Sequence, residues 1–189
     1  MMDWSQHPKI QRAAENLIQG GVIAYPTEAV WGLGAAPDNE HAVLKILALK
    51  NRAEEKGLIL VAADIEQFEP YLDGLTTEQR QLLTETWPGP NTWLVPHNGT
   101  APDYIRGRFD SVALRVSAHP VVAGLCRAFG GPIVSTSANP QGMQPARHGF
   151  QVQRYFRGQL DDVTPGCVGK SANPTQIRDL ITGEILRAS

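Results

Sequence analysis

Residues 22–34 read VIAYPTEAVWGLG, and this stretch decides the kind of fold to expect. Val22-Ile23-Ala24-Tyr25 is a short apolar run suited to a buried strand, and it ends at Pro26, which cannot donate to a ladder. Pro26 to Gly34 then reads as a loop from its Pro, Gly and polar content. In open α/β sheets, ligands collect beyond the carboxyl ends of such strands, so Thr27 and Glu28 stand where a ligand could be held. An ordinary turn closed by a threonine hydroxyl is the plainer reading of the same residues.

The flanking sequence extends this pattern. Asp3 to Gly20 reads as a helix, with Pro8 in its first turn, an apolar stripe of Ile10, Ala13, Ala14, Leu17 and Ile18, and a stop at Gly20-Gly21. Asp38 caps a second helix in which Ala42, Val43, Ile46, Leu47 and Leu49 recur at helical spacing. Leu58 to Ala62 is a second buried strand, followed by acidic helical segments over 65–72 and 77–86. Thr92–Val95 and Val112–Val116 read as strands, the latter alternating Val112, Leu114 and Val116 against Ala113 and Arg115. Pro120 to Phe129 is a helix closed by Gly130-Gly131, and Pro132 to Ser135 is a further strand. Helices and strands interleave with no low-complexity linker and no solenoid repeat, which predicts one α/β domain over residues 1–189, a mixed sheet with flanking helices.

Composition supports a chain with a packed core. Of the 189 residues, 42% are apolar and 19% charged, which excludes intrinsic disorder. No run approaches the roughly 18 apolar residues of a membrane span, and MMDWSQHPKIQR lacks the apolar stretch of a signal peptide. Cys126 and Cys167 are too few for a disulfide scaffold or a thiolate zinc site and suit the reducing cytoplasm. The net charge of −2 conceals an asymmetry. Asp64, Glu66, Glu69, Asp73, Glu78, Glu85 and Asp103 crowd the segment 60–103, whereas Arg106, Arg108, Arg115, Arg127, Arg147, Arg154 and Arg157 crowd 104–160. Either the two segments pair in space, or the arginine forks are prepared for an anionic ligand.

Familiar motifs fail in turn. Gly166 to Ser171 ends like a phosphate-binding P-loop, but Thr164 stands where that loop needs glycine. Gly32-Leu33-Gly34 starts like a dinucleotide fingerprint and breaks at Pro37. His7, His41, His97, His119 and His148 show no metal-ligand spacing, and Ser135 and Ser137 lack a nucleophile elbow. What remains is a set of polar groups at element ends. Lys50 and Arg52 lie at a helix C-terminus, with Lys56 close behind, more cations than the helix dipole alone calls for. Ser135-Thr136-Ser137-Ala138-Asn139 follows the apolar run 132–134 and offers uncharged ligands for phosphate or ribose, although Ser-Ala-Asn-Pro recurs at 171–174 without a strand before it. Trp87-Pro88-Gly89-Pro90 leads into Asn91-Thr92. Arg115, inside an apolar strand, must either meet an acid such as Asp110 or face a ligand carboxylate, because an unpaired buried guanidinium is costly.

Together these segments resemble the YrdC/Sua5 family. The resemblance is carried by YPTEAVWGLG at 25–34, LKNR at 49–52 with KGLIL at 56–60, WPGPNTW at 87–93, SVALRV at 111–116, STSANPQG at 135–142 and NPTQIRD at 173–179. The matches fall in family order and resemble the short bacterial type. That resemblance implies a twisted mixed α/β sheet around a deep, basic cavity. It also implies synthesis of L-threonylcarbamoyl-AMP and pyrophosphate from L-threonine, bicarbonate or CO2, and ATP with Mg2+. The product would serve N6-threonylcarbamoyladenosine (t6A) formation on tRNA, passed on by other proteins of that route. By the same resemblance, Lys50 and Arg52 are catalytic and bind nucleotide with Thr92, Ser135, Ser137, Asn139 and Arg187. Thr27, Arg115 and Thr175 match the residues that hold threonine, and no residue is assigned to a metal. Thr175 stands where the family usually has serine, and Ala53 where a proline often follows.

Two rival functions differ in class. A double-stranded RNA-binding module would use the arginine-rich second half and the cluster Arg154-Tyr155-Phe156-Arg157, against a pI near 6.2. A carbamoyl-transfer domain like those of hydrogenase-maturation proteins would take carbamoyl phosphate in place of threonine and bicarbonate.

Overall fold

A computed structural model describes residues 3–171, 173 and 175–188. Met1, Met2 and Ser189 of the expected domain, and Ala172 and Pro174 of the second Ser-Ala-Asn-Pro stretch, lie outside the described residues.

The helix expected from Asp3 is divided. The Asp3 carboxylate accepts from Ser5 N at 3.0 Å and caps a 3-10 turn over Trp4–Gln6, and α1 then spans Pro8–Ile18. Pro8 is the reason: it holds His7 extended and is tolerated only at a helix start. Strand β1 (Ile23–Pro26) pairs antiparallel with β2 (Trp31–Gly34), so the loop expected over 26–34 is really a hairpin. The glycines that lower strand propensity are what the pairing requires. Tyr25 faces Gly32, and a Cβ on Gly34 would stand 2.6 Å from Cε1 of the Tyr25 ring. Helix α2 (Glu40–Lys50) is capped by Asn39, whose Oδ1 accepts from Ala42 N at 3.0 Å, rather than by Asp38.

After β3 (Ile59–Ala62), the first acidic segment is a 3-10 turn, Ile65–Tyr71, because Pro70 inside it removes a donor. The second is α3 (Thr77–Thr86), opened by a Thr76/Gln79 capping box. Then come β4 (Asn91–Pro96), α4 (Asp103–Arg106), β5 (Ser111–Val116), α5 (Pro120–Phe129), β6 (Ile133–Ser137) and α6 (Gly149–Tyr155). Short strands β7 (Asp162–Val163), β8 (Gln176–Asp179) and β9 (Ile185–Arg187) complete the order β7-β1-β2-β6-β3-β5-β4-β8-β9. The sheet is mixed: β7/β1, β3/β5 and β4/β8 run parallel, and the other neighbours antiparallel.

Period-2 alternation divides the core between the two faces. Val112, Leu114 and Val116 of β5 join Leu60, Val134, Ile46 of α2 and Phe68 in one buried cluster. On the opposite face, Ile23, Tyr25, Val61 and Ile133 pack on Ile10 and Leu17 of α1 and on Val122 and Leu125 of α5. This second cluster covers only part of its face. Farther along the sheet, that face is left to the cavity. Arg127 and Asp64, 3.9 Å apart, join the basic and acidic segments in space, whereas Arg106 pairs locally with Asp103 at 2.7 Å.

Candidate active site

The uncovered part of that face forms a cavity of about 550 Å³. Register fixes what points into it. Arg115 lies opposite Val61, Ser135 opposite Ile59, Leu94 opposite Ala113 and Ser137 opposite Gly32, so alternate residues of five strands line one wall. Arg52, Lys56, Arg106, Arg115 and Arg187 bring positive charge to the lining, and Glu28 is its acid among the described residues.

Seven of the ten residues singled out from sequence line this space: Thr27, Arg52, Arg115, Ser135, Ser137, Thr175 and Arg187. Lys50, Thr92 and Asn139 stand behind them. Lys50 is 6% exposed, and its ammonium donates to the carbonyl of Ser137, to the carbonyl of Asn139 at 2.9 Å and to Asn139 Oδ1 at 3.3 Å. Asn139 Oδ1 also accepts from Ser137 Oγ at 2.7 Å, and Asn139 Nδ2 donates to Met143 O at 2.9 Å. The lysine thus binds the turn that carries Ser137. Burial, and then the nearby Arg52, lower its pKa to about 8. Thr92 Oγ1 and Thr175 Oγ1 share a buried hydrogen bond at 3.0 Å, which ties β4 to the segment entering β8.

Arg52 is held by its own loop, Nη2 donating to Gly57 O at 2.9 Å, and burial lowers its pKa. That loop rests against the turn after α4. Leu58 N donates to Ile105 O at 2.8 Å, and a Cβ on Gly107 would lie 2.6 Å from Gly57 N. At φ +67°, only glycine is unstrained at 107. Arg187 reaches in from β9 and donates from Nη2 to Thr175 O at 2.7 Å. Burial and then the nearby Arg115 lower its pKa.

Thr27 closes a turn as the plainer reading anticipated, its Oγ1 donating to Val30 O at 2.8 Å, yet it also faces the cavity. Arg115 does not meet Asp110. Five residues of strand separate the two by roughly 16 Å, and Asp110 instead lies 4.0 Å from Arg106. The acid near Arg115 is Glu28, with Oε2 3.5 Å from Nη1. Glu28 Oε1 accepts from Ser117 Oγ at 2.6 Å. Burial pushes the Glu28 carboxyl up, but Arg115 and the Ser117 hydroxyl outweigh it and hold its pKa below the ordinary value. Burial lowers the pKa of His119, whose Nε2 shares a 3.0 Å hydrogen bond with Cys167 O.

Phe109, which no quoted segment contains, also lines the cavity, as do Arg106 and Ser111, which the sequence placed in the basic segment and in SVALRV without a role of their own. Arg106 follows Tyr104-Ile105 in a short helix and matches no motif, so charge alone pointed to it, and the packing of Gly107 on the Arg52 loop is what brings it to the cavity. The cluster Arg154-Tyr155-Phe156-Arg157 is not a base-stacking platform, since Phe156 is buried and Tyr155 packs against the core. Among the described residues, no group of three or more His, Cys, Asp and Glu is placed to hold a metal ion, and no helix is long and apolar enough to cross a membrane.

Residues 15–189 match the Sua5, YciO and YrdC family profile, described as telomere recombination. A protein of Cellvibrio japonicus named threonylcarbamoyl-AMP synthase is 61% identical over 189 residues, covering all of both chains. One of the same name from Saccharophagus degradans is 54% identical, covering all of this chain and 98% of its own. Among solved structures, P. abyssi Sua5 complexed with L-threonine superposes with a TM-score of 0.89 at 31% identity, over 99% of this chain and 54% of that one. E. coli YciO, at 23% identity and a TM-score of 0.82 over 94% and 87% of the two chains, shares the fold.

Proposed function

This chain belongs to the Sua5/YciO/YrdC family, and we propose that it is the enzyme that joins L-threonine, bicarbonate or CO2, and ATP into L-threonylcarbamoyl-AMP and pyrophosphate. One observation carries the reading: Thr27, Arg115 and Thr175 share a single cavity with Arg52, Ser135, Ser137 and Arg187. An amino acid held by the first group lies beside a triphosphate held by the second. The full-length relatives named threonylcarbamoyl-AMP synthase and the L-threonine complex of P. abyssi Sua5 support the same assignment.

The chemistry follows from charge and position. Arg115 receives the threonine carboxylate, and the hydroxyls of Thr27 and Thr175 fix the remainder. The amine, once deprotonated, adds to CO2 and becomes a carbamate. A carbamate oxygen attacks the α-phosphorus, and the bond from that phosphorus to the bridging oxygen breaks as pyrophosphate leaves. Attacking and leaving groups are both anionic, so Arg52, Lys56 and Arg187 must screen them. No side chain has to form a covalent intermediate. Rate comes from holding the two reactants together and away from water, which destroys both the carbamate and the mixed anhydride.

Lys50 supports Ser137 and Asn139 from behind the cavity lining. Mg2+ travels with the triphosphate and neutralises its oxygens. The cavity offers guanidinium and hydroxyl groups, with Glu28 engaged by Arg115 and Ser117, a set that fits phosphate oxygens and not the ion itself. The product goes to other proteins that place it on tRNA for t6A, work done in the cytoplasm.

The test is pyrophosphate release from ATP with Mg2+, omitting threonine and bicarbonate in turn. Release that needs both supports the assignment. Release indifferent to threonine, or supported by carbamoyl phosphate instead, overturns it.

A further inference from the structure

Glu28 has no part in the reaction as just described, and a carboxylate beside bound phosphates repels them. Its placement therefore needs its own reason. The side chain is 13% exposed, and its two oxygens differ. Oε1 accepts from Ser117 Oγ, which itself accepts from His119 N at 3.1 Å. Oε2 has no hydrogen-bond partner and faces Arg115 Nη1. The backbone around Glu28 is equally fixed. Gly169 N donates to Thr27 O at 2.9 Å and Ser171 N to Glu28 O at 3.1 Å, and a Cβ on Gly169 would stand 2.8 Å from Glu28 O.

Arg115, by contrast, has little else to hold it. Its Nε is buried without a partner, and its neighbours in β5 are apolar. A guanidinium on a flexible stem, in a cavity that also receives phosphates, can serve either of two anions. Arg187 lies close enough for Arg115 to affect its titration, so the phosphate side is within the reach of its charge. We propose that Glu28, braced by Ser117, is a positioning residue that holds the Arg115 guanidinium on the Thr27 side of the cavity and reserves it for the amino acid's carboxylate, away from the phosphates. This rests on the reading that Arg115 receives threonine.

The test is steady-state kinetics of pyrophosphate release for Glu28→Gln, Ser117→Ala, Arg115→Met and the double variant Glu28→Gln/Arg115→Met, each first shown to be folded by thermal unfolding. In Glu28→Gln the amide either turns its NH2 toward Arg115 or loses the bond from Ser117. The KM for threonine should rise roughly tenfold to a hundredfold, the span of losing a hydrogen bond to a charged group, with the KM for ATP unchanged or lower. Ser117→Ala should move the threonine KM the same way by less, and it serves alone if Glu28→Gln fails to fold. The double variant should be no weaker for threonine than Arg115→Met. Equal increases in both KM values, or a Glu28→Gln effect that persists in full without Arg115, would overturn the proposal. If Arg115→Met reduces threonine use while Glu28→Gln and Ser117→Ala do not, the role of Glu28 falls and that of Arg115 stands. If Arg115→Met itself leaves threonine use intact, both fall together.

Discussion

The ammonium of Lys50 lies 2.9 Å from the carbonyl oxygen of Asn139, so the last residue of α2 supports the turn at the end of β6. That single group donates to two backbone carbonyls and a side-chain amide; Ser137 O also accepts from Asn139 N and Asn139 Oδ1 from Ser137 Oγ, so the Asn139 carbonyl relies on it most. The Ser137 side of the cavity is therefore maintained from behind, by a charge that does not line it.

Replacing Lys50 with methionine keeps the bulk and removes the donor. The Asn139 carbonyl then loses its donor, and a buried acceptor left without a partner costs about 1–3 kcal/mol, so Lys50→Met should unfold at lower denaturant concentration. The KM for ATP should rise more than the KM for threonine. Denaturant melts read beside kinetics for both substrates check this.

Lys50 also sets a pH dependence. Its pKa in the folded protein is about 8, below the ordinary lysine value, so the unfolded chain binds this proton more tightly. The group therefore opposes folding below pH 8, and that penalty is relieved as pH rises from about 8 toward the unfolded lysine value near 10.4. Wild type should gain stability relative to Lys50→Met over that window. Activity should show the opposite trend, with kcat/KM for ATP falling above pH 8 in wild type and lacking that limb in Lys50→Met.

Gly107 is a second lever, on the loop that holds Arg52. An alanine there would force φ +67° on a residue with a Cβ and press it against Gly57 N and Glu55 O, each 2.6 Å away. Strain of this kind costs on the order of 1–3 kcal/mol. Gly107→Ala should lower the melting temperature and displace the loop holding Arg52, raising the KM for ATP and leaving the KM for threonine nearly constant.

Arg187→Lys tests whether charge alone suffices. The guanidinium approaches Thr175 O through both Nη2 and Nε, an arrangement that an ammonium cannot reproduce while also facing the cavity. We expect kcat/KM to drop roughly tenfold or more, as for loss of a charge-assisted hydrogen bond. Full activity in Arg187→Lys would mean that the site uses only its charge.

Much of this arrangement was legible before the fold was known, and the rest failed for specific reasons. The alternation of Val112, Leu114 and Val116 against Ala113 and Arg115 already placed Arg115 on its own face of β5. Its partner was not legible, because Glu28 comes from a distant hairpin and only the sheet order brings it near. Strand β2 was missed because Gly32 and Gly34 look like loop residues until the Tyr25 ring is laid across them. Lys50 carried a signal that went unused. It continues the spacing of Val43, Ile46 and Leu47, so the periodicity that buries those residues also carries Lys50 inward.

The sheet order has a consequence for a chain still being made. Thr27 follows β1 and is made well before Arg187, which arrives only with β9, and β1 has no neighbour on its outer side until β7 is added. The cavity wall is thus drawn from segments far apart in the chain, and ribosome-bound intermediates lacking β9 have no complete place for substrate. Catalytic competence should appear only once β9 is laid beside β8.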